Sequence, residues 1–224
     1  EEGVSLAVKD INFTNANATD NDVNIANPDY SKTSANKNGS VLSNKGGSVQ
    51  FDNVVAKNNE SEGFGGALYI ESGETILNNV EMEGNVHYQN GTIASENDIY
   101  VKNGAELFMT GTNSIKSGLA GDGNIVQTGD LTLSGNNKNY TGTLNVGGNL
   151  EFIQEDINDS YIAGTSVIYE GADVLINNDF SDVEGNFKGN GNLTLLGDKN
   201  FILKGNNSEF IGEVTLDGGR IVLN

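Results

Sequence analysis

Along most of the chain, apolar residues fall at every second position in short runs, and Gly or Asn closes each run. Val4, Leu6 and Val8, then Ile11 and Phe13, open in this rhythm. Val49 with Phe51, the run GGALYI at 65–70, Ile76 with Val80 and Met82, Ile99 with Val101, and Leu107 with Met109 continue it. Period-two alternation marks strands with one buried face. Gly73, Gly84, Gly91, Gly104 and Gly111 punctuate the runs as turns. No stretch keeps a helical apolar spacing over three turns without a Gly or Asn breaking it. The pattern therefore predicts strands of about four to six residues, turns of about two to five, and essentially no helix.

The pattern also repeats. Residues 121–152 return, slightly longer, at 189–223. Gly121, Gly123 and Ile125 match Gly189, Gly191 and Leu193, and Gly129 matches Gly197. Leu131 and Leu133 match Phe201 and Leu203, Gly135 matches Gly205, and Asn136-Asn137 match Asn206-Asn207. Tyr140 matches Phe210, Gly142 matches Gly212, and Leu144 and Val146 match Val214 and Leu216. A unit that recurs in this way cannot bury its apolar face alone and stacks on its neighbours.

An antiparallel sandwich would join matched strands by two-residue Asn-Gly or Asp-Gly turns, which are missing at many of these turns. The expected fold is therefore all-β, a right-handed parallel β-helix (solenoid). At about 20 to 25 residues per coil it makes roughly nine to eleven coils, about 45–50 Å long. Leu131, Leu133, Leu144, Val146, Leu150 and Phe152 should point inward, with Phe201, Leu203, Val214, Leu216, Ile221 and Leu223 as counterparts. In a solenoid such Asn pairs can stack from coil to coil and hydrogen-bond along the axis. One domain spans 1–224: an N-terminal coil with a cap or loop at 1–40, regular coils at 41–153, an acidic excursion at 154–171, and a second repeat block at 172–224.

Composition sharpens this picture. The 30 glycines and about 35 asparagines supply residues that tolerate left-handed turns, and a single Pro leaves ladders unbroken. The formal charge of −19 repels phosphate backbones and anionic lipids, so nucleic-acid binding and direct membrane insertion are not expected. Absence of Cys removes disulfides and thiol chemistry. No signal peptide or membrane-length apolar run is seen, so a secreted origin would make this chain a mature piece of something longer.

The two blocks resemble the passenger repeats of bacterial autotransporters (type V secretion), of the form G-x-G … G-x-L-x-L-x-G-x-N-x-[YF]-x-G-x-[LV]-x-V. Asn97-Asp98-Ile99-Tyr100, Leu107 and Gly111-Thr112-Asn113 are similar to the coil that often precedes such a repeat. Gly65-Gly66-Ala67-Leu68 resembles the GGA-[ILV] element of polymorphic outer-membrane proteins, whose partner F-x-x-N occurs once, at Phe187-x-x-Asn190. The resemblance covers about half the chain. It implies a β-helix displayed on, or released from, a Gram-negative cell surface, with a host-cell or glycan ligand as partner.

Candidate chemistry is sparse. His87 is the only histidine and reads as an ordinary turn residue. A polysaccharide lyase would want a base beside clustered Asp, yet Arg220 has only Asp217 and Glu213 nearby in sequence. Hydrolase carboxylates are too numerous to pair. Asp20-Asn21-Asp22 with Asn24, and Glu151, Glu155, Asp156 and Asp159, carry hard oxygen ligands but no calcium-loop spacing, so no metal is expected. Thr132, Thr143, Thr194 and Thr215 are too scattered for the flat ladder that an ice- or mineral-binding solenoid needs.

The favoured function is a non-catalytic structural or adhesive solenoid outside the cell, without cofactor. The alternative is a carbohydrate-active β-helix enzyme, a lyase or hydrolase. Arg220, Ile221, Val222 and Leu223 form the candidate self-association surface, aligned with Leu150, Glu151 and Phe152, for a head-to-tail homo-oligomer.

Overall fold

The computed structural model describes residues 5–18, 38–89, 92–156, 159–177, 182–198 and 200–223. Among these there is no helix, and nearly every strand pairs in parallel with the strand one turn away. The chain is a parallel β-solenoid of about eight turns.

Its first face runs through Val8, Phe51, Leu77, Met109, Gln127, Val146, Ile168, Gly189 and Phe210, each in register with the next. The second face runs through Phe13, Ala56, Met82, Ile115, Leu133, Phe152, Ile176, Leu195 and Leu216 in the same way. A third face stacks Leu42, Leu68, Ile99 and Leu119, and towards the C-terminus Val183, Leu203 and Leu223. Because strand side chains alternate, one apolar residue in two points into a single continuous core. Leu131, Leu133, Leu144, Val146, Leu150 and Phe152 are all buried there, as are Phe201 and Leu203. Val214 and Leu216 hold inward register but belong to the last layer, and are 43% and 38% exposed. At the other end Leu6 and Ile11 are 44% and 42% exposed.

The number of turns falls below the expected nine to eleven because the early turns are long. On the next turn Asn124 meets Thr143, whereas Ser5 meets Ser48 and Glu74 meets Glu106, much further along the chain. The second gap contains the hairpin Val86–Gln89 with Thr92–Glu96, the only antiparallel pairing among the described strands. Strands are also longer than expected. Leu42–Lys57 and Leu68–Glu83 each bend around a corner as one 16-residue strand. In the second of these, Leu77 is buried and Ile76 half-buried, so the inward residue lies one position beyond the Ile76 read from the sequence.

The two sequence blocks are equivalent in their turns but not in their faces. Asn137 Oδ1 accepts the Leu119 amide of the preceding turn at 2.8 Å, and Asn207 Oδ1 accepts the Phe187 amide at 2.7 Å. Each Asn also donates to a Gly carbonyl two residues back, Gly135 at 2.9 Å and Gly205 at 3.1 Å. Asn136 and Asn206 accept the amides of Lys138 and Ser208. Asn137 and Asn207 therefore hydrogen-bond along the axis, as expected, and they do so to the previous turn's backbone and not to one another. Val146 lies on the first face, whereas its sequence counterpart Leu216 lies on the second. The Leu150 and Phe152 columns end on Val214 and Leu216, not on Ile221 and Leu223, which pair with Phe201 and Leu203 on the third face. The whole second block is one face round from its start: Ile125 lies on the first face, but its counterpart Leu193 already pairs with Val174 on the second, so Asn200–Leu203, the counterpart of Asp130–Leu133, falls on the third.

The acidic stretch departs from the coil only briefly. Asp159 Oδ2 accepts the amides of Glu155 and Asp156 at 2.8 and 3.0 Å, closing a turn, and Tyr161 and Ile162 re-enter the core. Thr165–Ile168 is already a first-face strand. Residues 19–37 of the expected cap or loop, with the Asp20-Asn21-Asp22-Asn24 oxygen cluster, lie outside the described residues.

Candidate functional site

The departures from regular coiling gather on one side of residues 59–102. Three-residue strand segments place Tyr69 opposite Tyr100 on adjacent turns, with ring centroids 5.7 Å apart. Phe64 lies across both, 6.2 Å from Tyr69 and 4.6 Å from Tyr100. The His87 ring, at the base of the hairpin, is 5.9 Å from Phe64. Phe64 is 48% exposed while Tyr69 beneath it is buried. The backbone pins Phe64 in place: its amide donates to Asn38 Oδ1 at 2.7 Å, and its carbonyl accepts the Gly39 amide at 3.0 Å.

Gly66 lets the hairpin approach this loop. A Cβ there would lie 2.5 Å from the Val86 nitrogen and 2.7 Å from the Asn97 carbonyl oxygen. The position thus needs glycine on steric grounds. Burial lowers the His87 pKa below its usual 6.5, so the ring is neutral at pH 7. Burial likewise raises the phenols of Tyr69 and Tyr100, which stay protonated as donors. Two residues on from each tyrosine, Glu71 and Lys102 form an ion pair at 2.9 Å.

Behind the aromatic cluster runs a buried polar line along the axis. The Ala16 amide donates to Asn59 Oδ1 at 2.8 Å, Asn59 Nδ2 donates to Asn85 Oδ1 at 2.7 Å, and Asn85 Nδ2 donates to Asp98 Oδ1 at 2.6 Å. The Ser117 amide completes the line on Asp98 Oδ2 at 2.8 Å. Asp98 has no solvent exposure, and desolvation raises its pKa from 3.8 to about 6 against the opposing pull of Asn85 and Ser117. These side chains satisfy amides that would otherwise be stranded at a corner of the solenoid.

A second feature is an open groove of about 540 Å³ on the outside of the neighbouring turns, lined by Glu74, Glu106 and Asp122 among others. Glu74 and Glu106 are direct register partners. Among the described residues no group of three or more His, Asp or Glu side chains is placed to hold a metal ion.

Arg220, Ile221, Val222 and Leu223 form one strand against Asn200–Leu203. Arg220 is exposed, and Ile221 and Val222 are half-buried. The most exposed apolar side chain at that end is Ile211, at 81%. Thr194 stacks on Thr215 and Thr143 on Thr165, short pairs with no long ladder. His87 lies in a strand against an aromatic ring and not in a turn. Phe64 and the Asp98 line were not read as site residues from the sequence. The available signal was the pair of apolar-Tyr-apolar triplets at 68–70 and 99–101, each with Tyr in the outward position.

Comparison with family models, with curated proteins and with solved structures gives no match to this chain.

Proposed function

We propose that the chain is a non-catalytic structural and adhesive solenoid, exported to a bacterial surface or beyond it, as the autotransporter-like repeats suggest. The observation that carries this reading is the unbroken inward column from Phe13 to Leu216. At a strand spacing of about 4.8 Å, eight turns give a rod about 40 Å long. A rod with a continuous core spaces and presents groups carried on its outside, and a hairpin beside a fixed aromatic cluster is such a group. The net charge of −19 keeps rods from associating side by side. The partly exposed layer of Val214 and Leu216 offers a second copy a surface for head-to-tail docking.

The alternative, a carbohydrate-active enzyme, is favoured by the groove that holds Glu74 and Glu106 side by side. Beads coated with the purified chain, applied to cultured epithelial cells, separate the two readings. Under the structural reading the beads adhere, Glu106→Gln changes nothing, and a polysaccharide panel is left intact. Depolymerisation that Glu106→Gln abolishes would replace this reading with the enzymatic one.

A further inference from the structure

We infer that the Phe64 face is a binding platform for an uncharged saccharide, with one pyranose ring stacked on the exposed phenyl ring. This rests on the adhesive reading above and names its ligand class. An aromatic side chain that only filled space would be covered, yet Phe64 keeps 48% of its surface in solvent while held by two backbone hydrogen bonds. Tyr69, Tyr100 and His87 back it at centroid distances of 6.2, 4.6 and 5.9 Å, so the ring is supported before any ligand arrives. The negative face of such a ring attracts the weakly positive C–H edges of another group, and a pyranose ring offers a flat apolar face of C–H bonds.

A sugar also needs partners for the hydroxyls around its rim. The Glu71–Lys102 pair lies two residues from the tyrosines on the same outward face, with about half of the Lys102 side chain exposed (47%). It presents donors and acceptors together. The local charge selects among sugars. Glu71 and, one turn on, Asp122 flank the face, and the whole chain carries −19, so uronates and sialylated glycans are repelled. Lys102 is already paired with Glu71, so it offers an anion little free charge.

Saturation-transfer NMR tests the proposal, with cellobiose, maltose and diacetylchitobiose as neutral probes, sialyllactose as the anionic probe and choline as the cationic one. The expected result is transfer to ring protons of at least one neutral sugar. Phe64→Ala should weaken it about tenfold, and Phe64→Trp should restore it, with all three proteins melting within a few degrees of one another. Transfer to none of the neutral sugars, transfer unchanged by Phe64→Ala, or transfer to choline or sialyllactose alone would overturn it. The bead assay keeps the two proposals apart. Adhesion equal in wild type and Phe64→Ala leaves the adhesive reading standing and removes this site. Sugar binding by a chain that adheres to no cell does the reverse.

Discussion

The turns before residue 110 and those after it share one core and differ in how they make the corner between the first and second faces. In the earlier turns the left-handed corner is occupied by Asp10, Asn53 and Asn79, with φ of 52°, 55° and 56°. Their side chains join along the axis: Asn53 donates to Asp10 at 2.9 Å and Asn79 donates to Asn53 at 3.2 Å. Deeper in, Asn59, Asn85 and Asp98 repeat the device in a buried form. In the later turns the corners belong to glycines. At the corner that Asn79 occupies, Gly111, Gly129 and Gly148 follow one another so closely that a Cβ on Gly129 would sit against the Gly111 oxygen, and one on Gly148 against the Gly129 oxygen. An Asn corner is adaptable, carries side chains outward and tolerates the insertion of a hairpin. A Gly corner is tight, repetitive and carries nothing. The aromatic platform, the hairpin and the buried acid all lie in the half built with Asn.

The largest effect expected from this difference comes from adding one methyl group. Gly148→Ala forces its Cβ against the Gly129 carbonyl, backbone that has nowhere to move, and should cost about 3 kcal/mol or more. Asn53→Ala, at the same corner of an earlier turn, keeps a Cβ that already fits at a φ of 55° and loses only its exposed hydrogen bonds, a cost of about 1 kcal/mol. Urea unfolding of the two variants checks this. Equal losses would show that steric crowding does not set the later corners apart.

A middle-sized effect belongs to Asp98. Its pKa of about 6 in the fold lies above the ordinary 3.8, so the folded chain holds this proton more tightly than the unfolded chain does. The stability tied to that proton is complete below the ordinary pKa and is lost as pH rises through about 6, by about 3 kcal/mol in all. Glu81 and Glu83, whose pKa values are lowered by hydrogen bonds from Lys57, act in the opposite sense and at lower pH. Both side chains are more than a third exposed, at 38% and 46%, which weakens that contribution. Between pH 4.5 and 7 the chain should therefore melt higher as pH falls, and Asp98→Asn should flatten that slope. The amide of such an Asn would face the Ser117 N–H, a pH-independent cost, so the slope is the quantity to compare and not the absolute melting temperature. An identical slope in both proteins would place the proton elsewhere.

What could be read from the sequence follows from the range of each interaction. Alternation is local, so the inward positions of Leu131 to Phe152 and the parallel solenoid were legible. The turn chemistry of Asn137 and Asn207 is also local, and its recurrence was visible. The face on which each motif lies depends on the summed length of everything before it along the chain, which is why the second block, already on the second face at Leu193, runs one face round from the first. The aromatic platform depends on the same bookkeeping. Tyr69 meets Tyr100 only because the hairpin between them loops out and returns the chain in register. Asp98 sits among polar residues in sequence and reads as surface. Only the stacking of Asn85 and Ser117 on its two oxygens encloses it.

The smallest effect tests whether an Asn corner is set by its side chain or by its backbone. Asn79 is exposed, has a φ of 56°, accepts the Thr112 amide at 3.0 Å and donates to Asn53. Just before Thr112, one turn further on, Gly111 takes the same corner with a φ of 63°. Asn79→Gly therefore copies the later kind of corner into the earlier half. It loses two solvent-exposed hydrogen bonds but relieves the left-handed strain that Asn bears, and these opposing changes should nearly cancel, leaving a net shift within about 1 kcal/mol. Asn79→Ala loses the same bonds and adds the strain of a Cβ at positive φ, so it should fall below the Gly variant by about 1 kcal/mol. The gap between the two variants in urea unfolding measures the backbone's share directly. If Gly proves as costly as Ala, the corner is held by the Asn side chain itself, and the two halves of the solenoid are stabilised by different interactions instead of by two solutions to one backbone constraint.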